Sequence, residues 1–126
     1  MRVGRLKLKL QLVCGDGFAI GPGKADILEA IDREGSISAA GRALGMSYRR
    51  AWLLVDEMNR CFCEKVIETQ KGGSTEQGAR LTDLGRLVLE AYRSLEEQSA
   101  GLTDGPAYAR LVSALRDEPL PSKSPR

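Results

Sequence analysis

The sequence predicts a mainly α-helical domain carrying a small β element, and three observations lead there. Between residues 23 and 98, successive stretches place apolar residues at helical spacing, most of them opened by a capping residue. Two of these stretches are adjacent and separated only by a tight turn around Gly45. The second of that pair is followed by two short β-prone runs flanking a Gly-rich segment.

The chain of 126 residues is long enough for one hydrophobic core. Its 42% hydrophobic and 29% charged residues match the averages of globular domains, so it can fold without help. The net charge of +2 identifies no partner; what counts is whether Lys and Arg cluster on one face. Apolar runs are only a few residues long, which predicts no membrane-spanning helix. The N-terminus alternates Leu with Lys and lacks the apolar core of a signal peptide, so a cytoplasmic location is expected.

The elements follow in order. Leu6, Leu8, Leu10 and Leu12 alternate with Lys7, Lys9 and Gln11, which predicts a half-buried strand. Gly15-Asp16-Gly17 is a turn signal, and Phe18-Ala19-Ile20 pairs back to complete an N-terminal β-hairpin. After Gly21-Pro22-Gly23, the stripe Ile27, Leu28, Ile31 predicts a first helix over 23–34, closed by Gly35. Ser36 caps a second helix from Ile37 to Leu44, and Ser47 caps a third from Tyr48 to Cys61. Ala51, Trp52, Val55 and Met58 read as the inward stripe of that third helix. A short Ala-rich helix, a Gly turn and a second helix form the helix-turn-helix pattern.

Lys65 to Gln70 and Ala79-Arg80-Leu81 read as strands around the loop Lys71 to Gly78, the pattern of a wing. Thr82 caps a long helix over 83–98. Leu84, Leu87, Val88, Ala91 and Leu95 fit its 3.6-residue period, with Leu89 and Tyr92 on a second apolar flank. So wide a stripe exceeds what one small domain must cover, and the five-residue stripe is expected to form a helix–helix dimer interface. The predicted organisation is a winged helix-turn-helix domain over 1–98, then a short helix (106–116) and a disordered Pro- and Ser-rich tail within 99–126.

The chain lacks histidine, the commonest general base, and has no Gly-rich phosphate loop, nucleophile elbow or paired-carboxylate motif. An enzyme is not expected. Cys14, Cys61 and Cys63 match no zinc template, so no metal site is predicted, although Cys61-Phe62-Cys63 is a candidate thiol sensor. Chemistry concentrates instead at the start of the third helix. There Ser47, Tyr48, Arg49 and Arg50 precede or flank the inward stripe, and the two arginines point away from it. Arginine makes the bidentate contact to guanine O6 and N7, and a helix N-terminus can receive a phosphate. Ser38 and Arg42 on the second helix, with Lys71 and Arg80 on the wing, are candidates for the DNA backbone. Double-stranded DNA is the expected partner.

Gly35-Ser36-Ile37-Ser38-Ala39-Ala40, Met46 to Trp52 and Asp56-Glu57-Met58-Asn59 together resemble the N-terminal domain of the ModE family of molybdate-responsive transcriptional regulators. Gly72-Gly73, Gly78, Leu81-Thr82 and Gly85 continue the likeness, which spans about residues 5–98. The helix-turn-helix and the Leu-Thr-x-x-Gly start of the long helix are shared with LysR-type regulators as well. The resemblance implies a homodimer held by the long helix and N-terminal strands, bound to a roughly palindromic operator through Ser47, Tyr48, Arg49, Arg50 and the 71–80 loop. It further implies a repressor acting by occupying that operator. Residues 99–126 are too short and Pro-rich for the family's molybdate-binding module, so no cofactor is expected within them. The competing reading is a protein-interaction module, a winged helix that has lost DNA binding.

Overall fold

Five α-helices, one short 3-10 helix (Ser99–Thr103) and three two-stranded antiparallel sheets form the regular structure of the described residues, 1–70 and 78–123, of the computed structural model. The helices are α1 (Pro22–Glu34), α2 (Ile37–Ala43), α3 (Tyr48–Cys61), α4 (Asp83–Gln98) and α5 (Pro106–Ser113). The strands pair as β1 (Arg2–Val3) with β2 (Leu6–Lys7), β3 (Leu12–Cys14) with β4 (Gly17–Ile20), and β5 (Ile67–Gln70) with β6 (Gly78–Leu81). This mixed α/β arrangement is compatible with a winged helix. No helix among the described residues is long and apolar enough to cross a membrane.

Local chemistry explains where the helices begin. Ser36 Oγ accepts from Ala39 N at 3.0 Å, Ser47 Oγ from Arg50 N at 3.1 Å, and Thr82 Oγ1 from Gly85 N at 3.0 Å. Each bond satisfies one amide that the first turn leaves without a partner, worth about 1 kcal/mol. Between α2 and α3 the chain reverses at Gly45, whose φ of 70° lies in the left-handed region that glycine adopts without Cβ strain. Gly41 lets α3 approach α2 closely; its missing Cβ would stand 3.3 Å from that of Ala51.

One core joins α1 to α4, β4 and the β5–β6 hairpin. Ile27, Leu28 and Ile31 of α1, Ile37 and Ala40 of α2, and Ala51, Val55 and Met58 of α3 meet Val66, Ile67, Ala79 and Leu81, and α4 closes it with Val88 and Tyr92. Polar side chains pin the periphery. Arg93 of α4 donates to Asp26 (3.0 Å) and Glu29 (2.6 Å) of α1 and to Glu96 (2.7 Å). Burial disfavours the guanidinium charge, but the bonds to Glu29, Glu96 and Asp26 outweigh it and push the Arg93 pKa up. Asn59 at the end of α3 accepts from Val66 N (2.8 Å) and Ile67 N (3.2 Å) and donates to Ile67 O (3.2 Å). Asn59→Ala strips two buried amides of their acceptor, and urea denaturation is expected to show a loss of about 2–3 kcal/mol.

The N-terminus departs from the expected single strand. Leu6–Lys7 turns back onto Arg2–Val3, residues 8–11 join no ladder, and only Leu12–Cys14 pairs across the predicted Gly15-Asp16-Gly17 turn. Alternation reports which side chains face inward, and Leu6, Leu8 and Leu10 do so; Leu12 and Val13 are both exposed where the register shifts. The short C-terminal helix ends at Ser113, and no helix or strand follows up to residue 123. It is tied to the N-terminal hairpin, since Arg5 N donates to Tyr108 Oη at 3.0 Å and Arg5 Nη2 to Arg116 O at 2.9 Å.

Candidate nucleic-acid interface

The first turn of α3 projects Tyr48, Arg49 and Arg50 into solvent, with Ser47 as its cap. The burial of Ala51, Val55 and Met58 against the core sets this orientation. Among the described residues neither Arg49 nor Arg50 forms an ion pair through its side chain, and no carboxylate neutralises this end of the helix. The Ser47 hydroxyl already accepts from Arg50 N and retains its proton for donation outward.

The other candidates divide. Ser38 and Arg42 are exposed on α2 and bonded to each other at 2.9 Å, which presents the guanidinium beside the hydroxyl on one helix face. Arg80 on β6 stands opposite Glu68 of β5 and pairs with it at 3.3 Å, so its charge is partly spent within the hairpin. Lys71 lies outside the described residues.

Trp52 corrects the sequence reading. It is 45% exposed rather than part of the inward stripe. Ala51, Val55 and Met58 define the centre of the buried face, and a residue one position on is rotated about 100° from Ala51, off that face. A helical wheel centred on those three smaller residues would have placed it outside; its size and aromaticity argued the other way.

The expected dimer residues of α4 also take different places. Val88 is buried in the core and Leu84 half-buried, whereas Leu87 (60%), Ala91 and Leu95 (54%) face outward. Leu87, Val88, Ala91 and Leu95 line one wall of an apolar groove of about 340 Å³, whose other wall is Leu10, Leu12, Ile20 and Phe62. Leu10, Leu12 and Phe62 were not legible as partners of α4, because nothing local in sequence brings them there.

Beneath α3 a buried Lys24 donates to Phe18 O at 2.7 Å and pairs with Glu57, joining α1, β4 and α3. The Cys61 thiol lies against that of Cys14, which points at Cys61 O at 3.9 Å, and contact with Cys14, then burial, pushes the Cys61 pKa up. A raised pKa favours the protonated thiol. Cys63 is exposed. No group of three or more His, Cys, Asp or Glu among the described residues could hold a metal ion.

The chain is 36% identical over 96 residues to the molybdenum transport protein ModE of Azotobacter vinelandii, covering 76% of this chain and 36% of that protein. It is 40% identical over 86 residues to the molybdenum-pterin-binding protein MopB of Rhodobacter capsulatus, covering 68% and 32%. It is 33% identical over 76 residues to the DNA-binding transcriptional dual regulator ModE of Escherichia coli, covering 60% and 29%. Its homologues are ModE and Mop proteins. The chain spans about a third of the length of these relatives. No protein-family model matches it.

Proposed function

We propose that this chain is a ModE-family regulator that binds double-stranded DNA sequence-specifically as a homodimer and represses by occupying its operator. The observation that carries the reading is the exposed Arg49 and Arg50, without an ion pair among the described residues, on the Ser47-capped first turn of α3, in a chain homologous to named transcriptional regulators. In this account α3 enters the major groove by its N-terminal end, the arginines read guanine, and Ser47, Ser38 and Arg42 hold phosphates. The β5–β6 hairpin acts as the wing, with Lys71 and Arg80 along the backbone. The names of the relatives point to molybdenum-linked regulation. The molybdenum transport and molybdenum-pterin binding in their names are not carried over, because the similarity covers only about a third of each.

A homodimer accounts for the exposed half of the α4 stripe. Leu87 and Leu95, with Ala91 between them and Val88 behind, border a groove that a second copy would fill. The Leu87→Glu/Leu95→Glu variant is expected to sediment as a monomer while keeping the native melting temperature within a few degrees, because both side chains already face solvent. A native protein that is monomeric at micromolar concentration would remove the two-fold account.

DNA binding itself is tested by its response to salt. Affinity for duplex DNA falls by about 0.9 in log K per neutralised phosphate for each log unit of salt. A steep fall is expected here. Binding that is weak at every salt concentration would leave the interaction-module reading in place.

A further inference from the structure

The outer face of α3 carries more than arginine. Tyr48 is 56% exposed, Trp52 45% and Leu53 47%, and with Arg49 they occupy positions i, i+4, i+5 and i+1 of one helix. At that spacing the four side chains form a single patch. A solvent-facing Trp beside a solvent-facing Leu is unfavourable in an isolated domain and needs a partner to cover it. The flanking Arg49 and Arg50, with no carboxylate paired to them among the described residues, make that partner anionic as well as locally apolar. The DNA major groove meets both demands, since it is walled by phosphates and each thymine places a methyl group on its floor.

We propose that Trp52 and Leu53 read thymine methyl groups, so that the operator half-site carries thymine beside the base pair that Arg49 contacts. The inference rests on the DNA-binding reading above and adds to it the chemistry of the neighbouring base. Trp52 lies three residues beyond Arg49 on the same helix, about 4.5 Å along its axis, so the methyl it covers is expected on a base pair neighbouring the one Arg49 contacts. A second protein chain is the competing occupant of this patch, and an unaltered Trp52 environment in the DNA complex is the result that would favour it.

The chain contains a single Trp, so its emission reports on Trp52 alone. Acrylamide quenching of the native protein is measured free and with the duplex it enriches from a randomised pool. Quenching is expected to fall at least twofold in the complex. Replacing thymine by deoxyuridine, one position at a time, then removes only the methyl. Burying a CH₂-sized group is worth about 0.8 kcal/mol, so roughly a fourfold loss of affinity is expected at one or two adjacent positions per half-site. That loss should disappear in Trp52→Ala or in Leu53→Ala. Unchanged quenching, a duplex indifferent to every deoxyuridine, or a penalty that persists in both variants overturns the proposal while leaving DNA binding intact. A native protein that enriches no duplex at all refutes the DNA reading and this inference with it. The quenching and deoxyuridine arms use native protein and stand even where a variant folds poorly.

Discussion

Replacing Arg49 and Arg50 together by alanine is expected to abolish discrimination between operator and random duplex while leaving the fold intact. A good bidentate arginine–guanine contact contributes about 1–3 kcal/mol, so losing two costs about 2–6 kcal/mol, at least roughly a 30-fold drop in specific affinity. Both side chains are exposed and make no ion pair among the described residues, so stability should change by no more than about 0.5 kcal/mol. Titration of labelled duplexes by fluorescence anisotropy separates the possibilities. If the arginines touch only phosphates, specific and random affinities fall together and the salt slope drops by about one per residue. If they read bases, the ratio of the two affinities collapses instead. The base-reading result is the one expected.

Gly85→Ala is expected to be among the most damaging single changes to stability, although helix propensity alone predicts the reverse. Gly85 lies in the first turn of α4, where alanine is favoured over glycine by about 1 kcal/mol in an exposed helix. A Cβ built there would stand 2.0 Å from Val66 O and 2.9 Å from Val66 C. Both are backbone atoms, and that backbone cannot swing aside. Val66 O accepts from Thr82 N at 3.0 Å, and Asn59 accepts from Val66 N. Thr82 Oγ1 in turn donates to Lys65 O at 2.7 Å. The helix start and the chain before β5 are thus bonded to each other at the point of the clash. Overpacking of this kind costs about 3 kcal/mol or more, which exceeds the propensity gain. Calorimetry should show a melting temperature lower by about 10 °C or more. An unchanged or raised melting temperature would mean that α4 can move off Val66.

These two cases show which parts of the molecule could be read from sequence. Ser36, Ser47 and Thr82 cap helices through bonds to residues three positions on, so the caps and most helix bounds were legible from local spacing. The buried faces of α1 and α3 followed from period, and so did the outward direction of Arg49 and Arg50. Position 85 could be recognised as part of a Leu-Thr-x-x-Gly pattern, but the reason for glycine there is the carbonyl of Val66.

What failed depends on distant partners. Trp52 was placed on the inward stripe with Val55 and Met58, but it stands about 100° round the helix from Ala51 and faces solvent until a partner covers it. The N-terminal strand was drawn too long because alternation fixes which way residues face and says nothing about which edge they pair with. Cys14 and Cys61 are 47 positions apart, and only the packing of β3 against the end of α3 makes them neighbours. Lys24, for which the sequence offered no reading, is buried by the same kind of packing and bonded to Phe18 O and Glu57.

The central claim is that α3 reads a two-fold DNA site. Its most direct test is selection from a randomised duplex pool near physiological salt, with native protein and the Arg49→Ala/Arg50→Ala variant run side by side. The account predicts that native protein enriches a palindromic motif, with half-sites separated by about one helical turn, 10–10.5 base pairs, and that the variant enriches none. If native protein enriches nothing, or both proteins enrich the same motif, α3 is not the reader and the account is contradicted.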